Sequence, residues 1–281
     1  MFQNESKYTI LLIIVIFLIL AYLLYKFECS MVFKPQKITK KKSKKIMENY
    51  KNLNLKNLKI KTNDNCLLDA LYLHNPNTKN VILFSHGNAG NLYNNFDIFL
   101  RLGKFSSILM YDYRGYGLSK GNPEEFGIYK DILSVYKYMT HTMGIKPKYI
   151  TLYGISLGCC PTLWLAKKIS KYGCSNNIHS IIIESGFSSE KNLAEEIFPK
   201  YLSYLIQNNF NNMKNIKKIN CNIPILIAHS PQDELININH KNKLYDKCLS
   251  IKKEYYQLKG SHNADKLDEY YIKKIKEYLY E

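Results

Sequence analysis

Tyr149-Ile150-Thr151-Leu152-Tyr153-Gly154-Ile155-Ser156-Leu157-Gly158 decides the architecture of this 281-residue chain. A short run of β-branched and aromatic residues reads as a strand buried on both faces, and it runs straight into Gly-x-Ser-x-Gly. From Leu157 to Lys171 the spacing predicts a helix. A strand that turns sharply into a helix through two glycines lifts the Ser156 hydroxyl to the helix N-terminus, the geometry of a nucleophile elbow.

Outward from the elbow, the same grammar repeats. Val81 to Phe84 ends at Ser85-His86-Gly87, Ser107 to Tyr111 ends at Asp112, Ile181 to Ile183 ends at Glu184, and Ile225 to Ala228 ends at His229. Helical periodicity falls between these runs at Asn94 to Leu102, Glu124 to Met143, Lys241 to Leu249 and Leu267 to Tyr280. Leu58 to Lys61 and Leu67 to Leu73 read as an opening hairpin across Asn63-Asp64-Asn65. Alternation of this kind predicts an α/β fold with a mostly parallel central sheet and helices on both faces. Residues 188–218 hold more helix than one crossover needs and are expected to form a small cap.

A serine hydroxyl needs a base to take its proton, and the base needs an acid to fix its tautomer. His262, after the run Glu254 to Leu258 and before the last helix, is placed to be that base. Asp233 is the expected acid, on the loop after the preceding strand, with Glu234 its nearest rival. The shorter side chain is the more usual partner of such a base, whereas the bland reading of Asp233 is a turn residue. His74, His141, His179 and His240 are expected in surface segments. The oxyanion would be held by the backbone amides of Leu157, after the nucleophile, and Asn88, in His86-Gly87-Asn88-Ala89-Gly90. His86 is expected to brace that loop. Tyr111-Asp112-Tyr113-Arg114-Gly115-Tyr116-Gly117-Leu118-Ser119 reads as a wall beside the site. It lacks the Gly-Lys-Ser/Thr ending of a phosphate loop and the spacing of a dinucleotide fingerprint, so no cofactor is expected.

The N-terminus is a different material. Tyr8 to Tyr25 is free of charge and dominated by Ile, Leu, Val and Phe, nearly enough helix to cross a hydrocarbon core of ~30 Å. No small-residue cleavage site follows it, which favours an anchor over a signal peptide. The expected organisation is a flank (1–7), a transmembrane anchor (8–25), a basic tether (26–56) and one catalytic domain (57–281). Much of the net charge of +17 lies between Lys34 and Lys45. The excess of lysine after the helix predicts a single-pass membrane protein with its domain in the cytosol and the tether beside an anionic leaflet. No aromatic stacking platform accompanies the lysines, so nucleic acid is not an expected partner. Seven cysteines without paired spacing read as reduced thiols, with no metal site.

The order His86-Gly87-Asn88-Ala89-Gly90-Asn91, Tyr113 to Ser119, Ser156, Asp233, His262 resembles the membrane-anchored alpha/beta-hydrolase-domain proteins, especially subfamily thirteen and its fungal bud-emergence relatives. The match runs over roughly residues 65–275. The resemblance implies an alpha/beta-hydrolase fold with a Ser-Asp-His triad, and its seventeen subfamily suggests protein depalmitoylation. Two departures stand out. Cys159-Cys160-Pro161 occupies a place where relatives carry small residues, and anchored relatives are often described as facing the lumen. The combined expectation is a membrane-anchored serine hydrolase acting on an ester or thioester, of a lipid or an acylated protein. A serine peptidase and a catalytically silent module that binds a membrane partner are the alternatives.

Overall fold

The computed structural model describes residues 2–170, 177–208, 210–264 and 267–280. Its apolar runs form one eight-stranded sheet: β1 Leu55–Lys61, β2 Leu67–Leu73, β3 Val81–Ser85, β4 Ser107–Tyr111, β5 Ile150–Ile155, β6 Ser180–Glu184, β7 Ile225–His229 and β8 Lys253–Gln257. The spatial order is 1-2-4-3-5-6-7-8. β2 is antiparallel to both its neighbours, and every other pairing is parallel. The β1–β2 hairpin closes over the expected turn, where Asn65 takes φ 64°, a conformation asparagine tolerates better than most residues.

Nine helices accompany the sheet among the described residues: α1 Phe2–Val32, α2 Lys40–Glu48, α3 Phe96–Gly103, α4 Glu125–Lys137, α5 Cys159–Ser170, α6 Glu190–Ile197, α7 Asn212–Ile216, α8 Ile238–Lys247 and α9 Glu269–Tyr280. Strand periodicity divides the core in two. Leu83, Leu109, Leu152 and Ile181 point to the layer holding α4, α5 and α8, while Ile82, Phe84, Ile108, Met110 and Ile182 point to α3 and α9. Covering both faces explains why β3 to β7 are buried along their length, Ile155 at the end of β5 alone being half-buried. The helix expected from Leu157 begins with a 3-10 turn, Ser156–Gly158, that passes into α5; its expected end at Lys171 lies outside the described residues. Pro161 falls in the first turn of α5, where a missing N–H breaks no helical bond.

The N-terminal third departs most from expectation. α1 continues seven residues past Tyr25, and the segment expected as a tether is folded against the domain. Lys34 N–H donates to Asn88 O (3.0 Å), Gln36 N–H to Gly90 O (2.9 Å), and Gly117 N–H to Gln36 O (3.1 Å). α2 then buries Ser43 and lays Ile46 and Met47 on the core, leaving its lysines exposed. The cause is helical spacing: Ser43, Ile46, Met47 and Tyr50 share one face, a pattern hidden by the density of lysine. Between β6 and β7 lie α6, a 3-10 turn Lys200–Leu205 and α7, the segment expected as a cap.

Candidate active site

The elbow stores strain at one residue. Ser156 has φ 53°, in the left-handed region that costs a non-glycine residue about 1–3 kcal/mol and collects at functional sites. The flanking glycines have a different reason to be there. A Cβ on Gly154 would lie 2.4 Å from Gly158 O, and one on Gly158 would lie 2.0 Å from Ser85 O. Gly154 and Gly158 therefore let the turn press against its own helix and against the end of β3, while Ser156 itself makes the turn. Cys159 and Cys160 sit fully buried behind it. Burial pushes both thiols well above the ordinary cysteine range, and the Cys159 thiol donates to Gly154 O (3.2 Å). They pack beneath the elbow as small apolar groups.

His262 arrives on the loop between β8 and α9, with Nε2 3.2 Å from Ser156 Oγ. Its Nδ1 lies 2.8 Å and 3.0 Å from the two carboxylate oxygens of Asp233. Donation from Nδ1–H to Asp233 leaves Nε2 as the acceptor facing the hydroxyl. Asp233 is held in turn by the amides of Leu235 (3.1 Å) and Ile236 (2.9 Å), which donate to its Oδ1. Burial by itself raises the carboxyl pKa. The His262 hydrogen bond, the Ile236 amide and the nearby His262 and His229 outweigh it, bringing Asp233 down to about 2. Glu234 accepts from the His262 backbone N–H (2.9 Å) through Oε2. The two acids of this loop thus have separate tasks: Asp233 meets the ring, and Glu234 holds the chain that carries it.

The loop after β3 borders Ser156, since a Cβ on Gly87 would lie 3.7 Å from Ser156 Cβ. Asn88 O is gripped by the Tyr116 hydroxyl (2.6 Å) and by Lys34 N–H, while Asn88 Nδ2 donates to Val32 O at the end of α1 (3.2 Å). These bonds fix the peptide plane on the carbonyl side of Asn88. Leu157 lies in the first turn after Ser156, where backbone N–H groups have no intrahelical acceptor.

The Tyr111–Ser119 stretch, expected as a wall beside the site, lies underneath it. Tyr113 and Tyr116 are fully buried, and the Tyr113 hydroxyl donates to His86 O (2.6 Å). Both rings pack on His86, at 4.4 and 5.3 Å between centroids. His86 Nε2 faces Asp112 Oδ1 at 3.4 Å, and that oxygen accepts from Leu92 N–H (2.7 Å). Arg114 anchors the block with two side-chain hydrogen bonds to Asp131 (2.8 and 3.0 Å). Interleaved aromatics and glycines satisfy a wall and a buried brace equally well, so sequence does not separate the two. His240 is a second correction: it is buried, against the expected surface position, with Nδ1 2.7 Å from Ser188 Oγ and Nε2 3.2 Å from Glu196. Its place in α8 opposite the cap hides it.

Residues 80–217 match the family model for the alpha/beta hydrolase fold. Among curated relatives, uncharacterized protein R595 of Acanthamoeba polyphaga mimivirus is 32% identical, over 78% of this chain and 79% of its own. Alpha/beta hydrolase domain-containing protein 17C of Mus musculus is 31% identical, over 73% of this chain and 61% of its own length. The human 17B protein is equally identical, over 73% of this chain and 67% of its own. Among solved structures, an alpha-beta hydrolase from Vibrio vulnificus superposes with a TM-score of 0.74 at 21% identity, covering 93% of this chain and 92% of that one. The chain belongs to the alpha/beta-hydrolase domain-containing protein family.

Proposed function

We propose that the protein is a membrane-anchored serine hydrolase that cleaves a carboxylic ester or thioester through an acyl-enzyme. One observation carries the reading: His262 stands between Ser156 Oγ (3.2 Å) and Asp233 (2.8 Å). In the first step His262 Nε2 takes the Ser156 proton as Oγ attacks the substrate carbonyl. The amides of Leu157 and Asn88 hold the oxyanion that forms. Collapse of the tetrahedral species breaks the bond to the leaving alkoxide or thiolate, which takes the proton from His262. Water then repeats the sequence, with His262 as base, and releases the acid. Asp233 stays ionised throughout and stabilises the imidazolium.

Its membrane setting is supported by α1, whose segment Lys7–Val32 is long and apolar enough to cross a bilayer, and by the bond from Asn88 to Val32 O, which ties the candidate oxyanion loop to that helix. The subfamily-thirteen and bud-emergence resemblance agrees with such an anchor, and the lysines of α2 favour a cytosolic domain. The substrate is then an acyl ester of a lipid or an acyl thioester of a protein at the membrane surface.

A fluorophosphonate probe is expected to label the full chain and to lose its target in Ser156→Ala. Folded wild-type protein that resists the probe overturns the reading in favour of a silent module. Comparing ester, thioester and peptide-amide turnover in wild type and Ser156→Ala separates the esterase from the peptidase.

A further inference from the structure

We propose that the cap between β6 and β7 is a membrane-inserted surface: its exposed apolar residues Ile197, Phe198, Tyr201, Tyr204 and Leu205 lie in the bilayer interface beside α1. The inference deepens the anchor reading and rests on it. Its starting point is a shortfall in length. From Tyr8 to Leu20 the described residues of α1 are exposed on every side. That stretch of about 13 residues rises only ~20 Å, whereas a hydrocarbon core is ~30 Å thick. The polar run before Tyr8 cannot make up the difference. The missing ~10 Å must come from the next two turns, Ala21 to Phe27.

Those two turns are not free. From Ala21 onward one face of α1, formed by Ala21, Leu24, Tyr25 and Glu28, is covered, while Leu23, Phe27 and Met31 remain exposed on another. The covering element is the cap. Gln207 Nε2 donates to Ala21 O (2.8 Å), and the backbone N–H groups of Gln207 and Asn208 each donate to a Glu28 carboxylate oxygen (2.9 Å). Asn208 Nδ2 adds a third donor to Glu28 (2.9 Å). A span long enough to cross therefore takes the adjoining part of the cap to the same depth.

The cap's chemistry suits that depth. Tyr201 and Tyr204 are each 70% exposed and Ile197 63%, with Phe198 and Leu205 exposed beside them. Large apolar residues left this open on a short segment are out of place in water, and tyrosine is enriched at bilayer interfaces. Lys191 Nζ lies 4.1 Å from the Tyr204 ring centroid, so a cation on a long apolar stem can reach the headgroups from there. Immersion of ~5–10 Å is ordinary for an interfacial helix and matches the shortfall. The bilayer, and not a protein groove, is the occupant because the patch belongs to the segment bonded to the turns of α1 that complete the span. The Asn88–Val32 bond places the candidate oxyanion loop about one helical turn beyond Glu28 along α1, so an acyl chain resting among interfacial lipids would be close to Ser156.

The test places single tryptophans in full-length protein carrying Trp164→Phe, reconstituted in phosphatidylcholine–phosphatidylserine vesicles with or without lipids brominated at the 6,7 or 11,12 acyl positions. Tyr204→Trp is expected to lose about half its emission to the shallow bromines and less to the deep ones. Leu18→Trp should show the reverse depth order, and Tyr270→Trp, on α9, should change by less than a tenth. An unquenched Tyr204→Trp beside a quenched Leu18→Trp overturns cap insertion while the span stands. No quenching at either position overturns the span and the insertion together. If Trp164→Phe impairs folding, the same substitutions in the parent chain are read as differences against its own Trp164 emission.

Discussion

Two histidine–aspartate pairs lie near Ser156, and they have opposite characters. His262 and Asp233 meet at 2.8 Å on loops beyond the sheet, with the second ring nitrogen turned to the Ser156 hydroxyl. His86 and Asp112 meet at 3.4 Å in full burial, with the second nitrogen 2.7 Å from Gly87 O and two tyrosine rings packed against the imidazole. The aspartates answer accordingly. Asp233, buried but well supplied with donors, is pulled down to about 2; Asp112 is pushed up, because burial outweighs what His86 and the Leu92 amide return. The same two residue types suit a proton relay or a structural brace according to what the far nitrogen faces.

The largest expected effects test the relay. His262→Ala should lower kcat/KM for a soluble ester by about 10³-fold or more, and Asp233→Asn by about 10²–10⁴-fold, because the wrong tautomer then faces the serine. Both variants should keep the fold, as read by circular dichroism. Stability follows the sign of the Asp233 shift. Its folded value is depressed, so its contribution is complete above the ordinary carboxyl range and is lost as pH falls towards about 2. Asp233→Asn should therefore flatten the acid limb of the thermal stability profile, and an unchanged limb would count against an ionised Asp233.

His86→Ala should reverse the balance of the two readouts. Removing a buried ring leaves Asp112 without its imidazole partner and strips the support from Tyr113 and Tyr116, which should cost about 3–5 kcal/mol. Turnover in whatever remains folded should fall by only about tenfold, through a loosened Asn88 loop. A stable His86→Ala protein with activity as low as His262→Ala would dissolve the distinction drawn between the pairs.

How much of this was legible in sequence depends on distance along the chain. The elbow spans five residues and the six-residue strand runs into it, sharing Gly154 and Ile155, so local pattern suffices, and every core strand stands where its apolar run predicts. Ser156, Asp233 and His262 could be brought together because a known chain order replaces the missing three-dimensional information. Three features had no such help. Asp233 and Glu234 are neighbours on one loop, and only the position of the His262 backbone assigns one to the ring and the other to the chain. Gly154 and Gly158 look like hinges in sequence, yet the positive φ falls on Ser156. The 26–56 segment reads as a solvated tether because lysine dominates its composition, while its hydrogen-bond partners, Asn88, Gly90 and Gly117, are more than 50 residues away.

A third carboxyl sharpens the comparison, because its neighbour is another carboxyl. Glu190 opens α6 against Glu28 of α1, whose oxygens already receive the donors of Gln207 and Asn208. Burial, with Glu28 and Glu125 adding to it, pushes Glu190 up to about 9. At neutral pH Glu190 is therefore a neutral acid able to donate to Glu28. Between the ordinary carboxyl range and about 9 the folded chain keeps a proton that the unfolded chain has lost, so stability falls as pH rises through that window. Glu190→Gln, which keeps a donor and removes the titration, should gain about 1–3 kcal/mol at pH 7 and flatten that slope. Thermal unfolding in detergent micelles at pH 5, 7 and 9 measures both. A wild type and a variant that lose stability in parallel across those values would mean that Glu190 is ionised in the fold, and that the cap meets the anchor through charge repulsion and not through a shared proton.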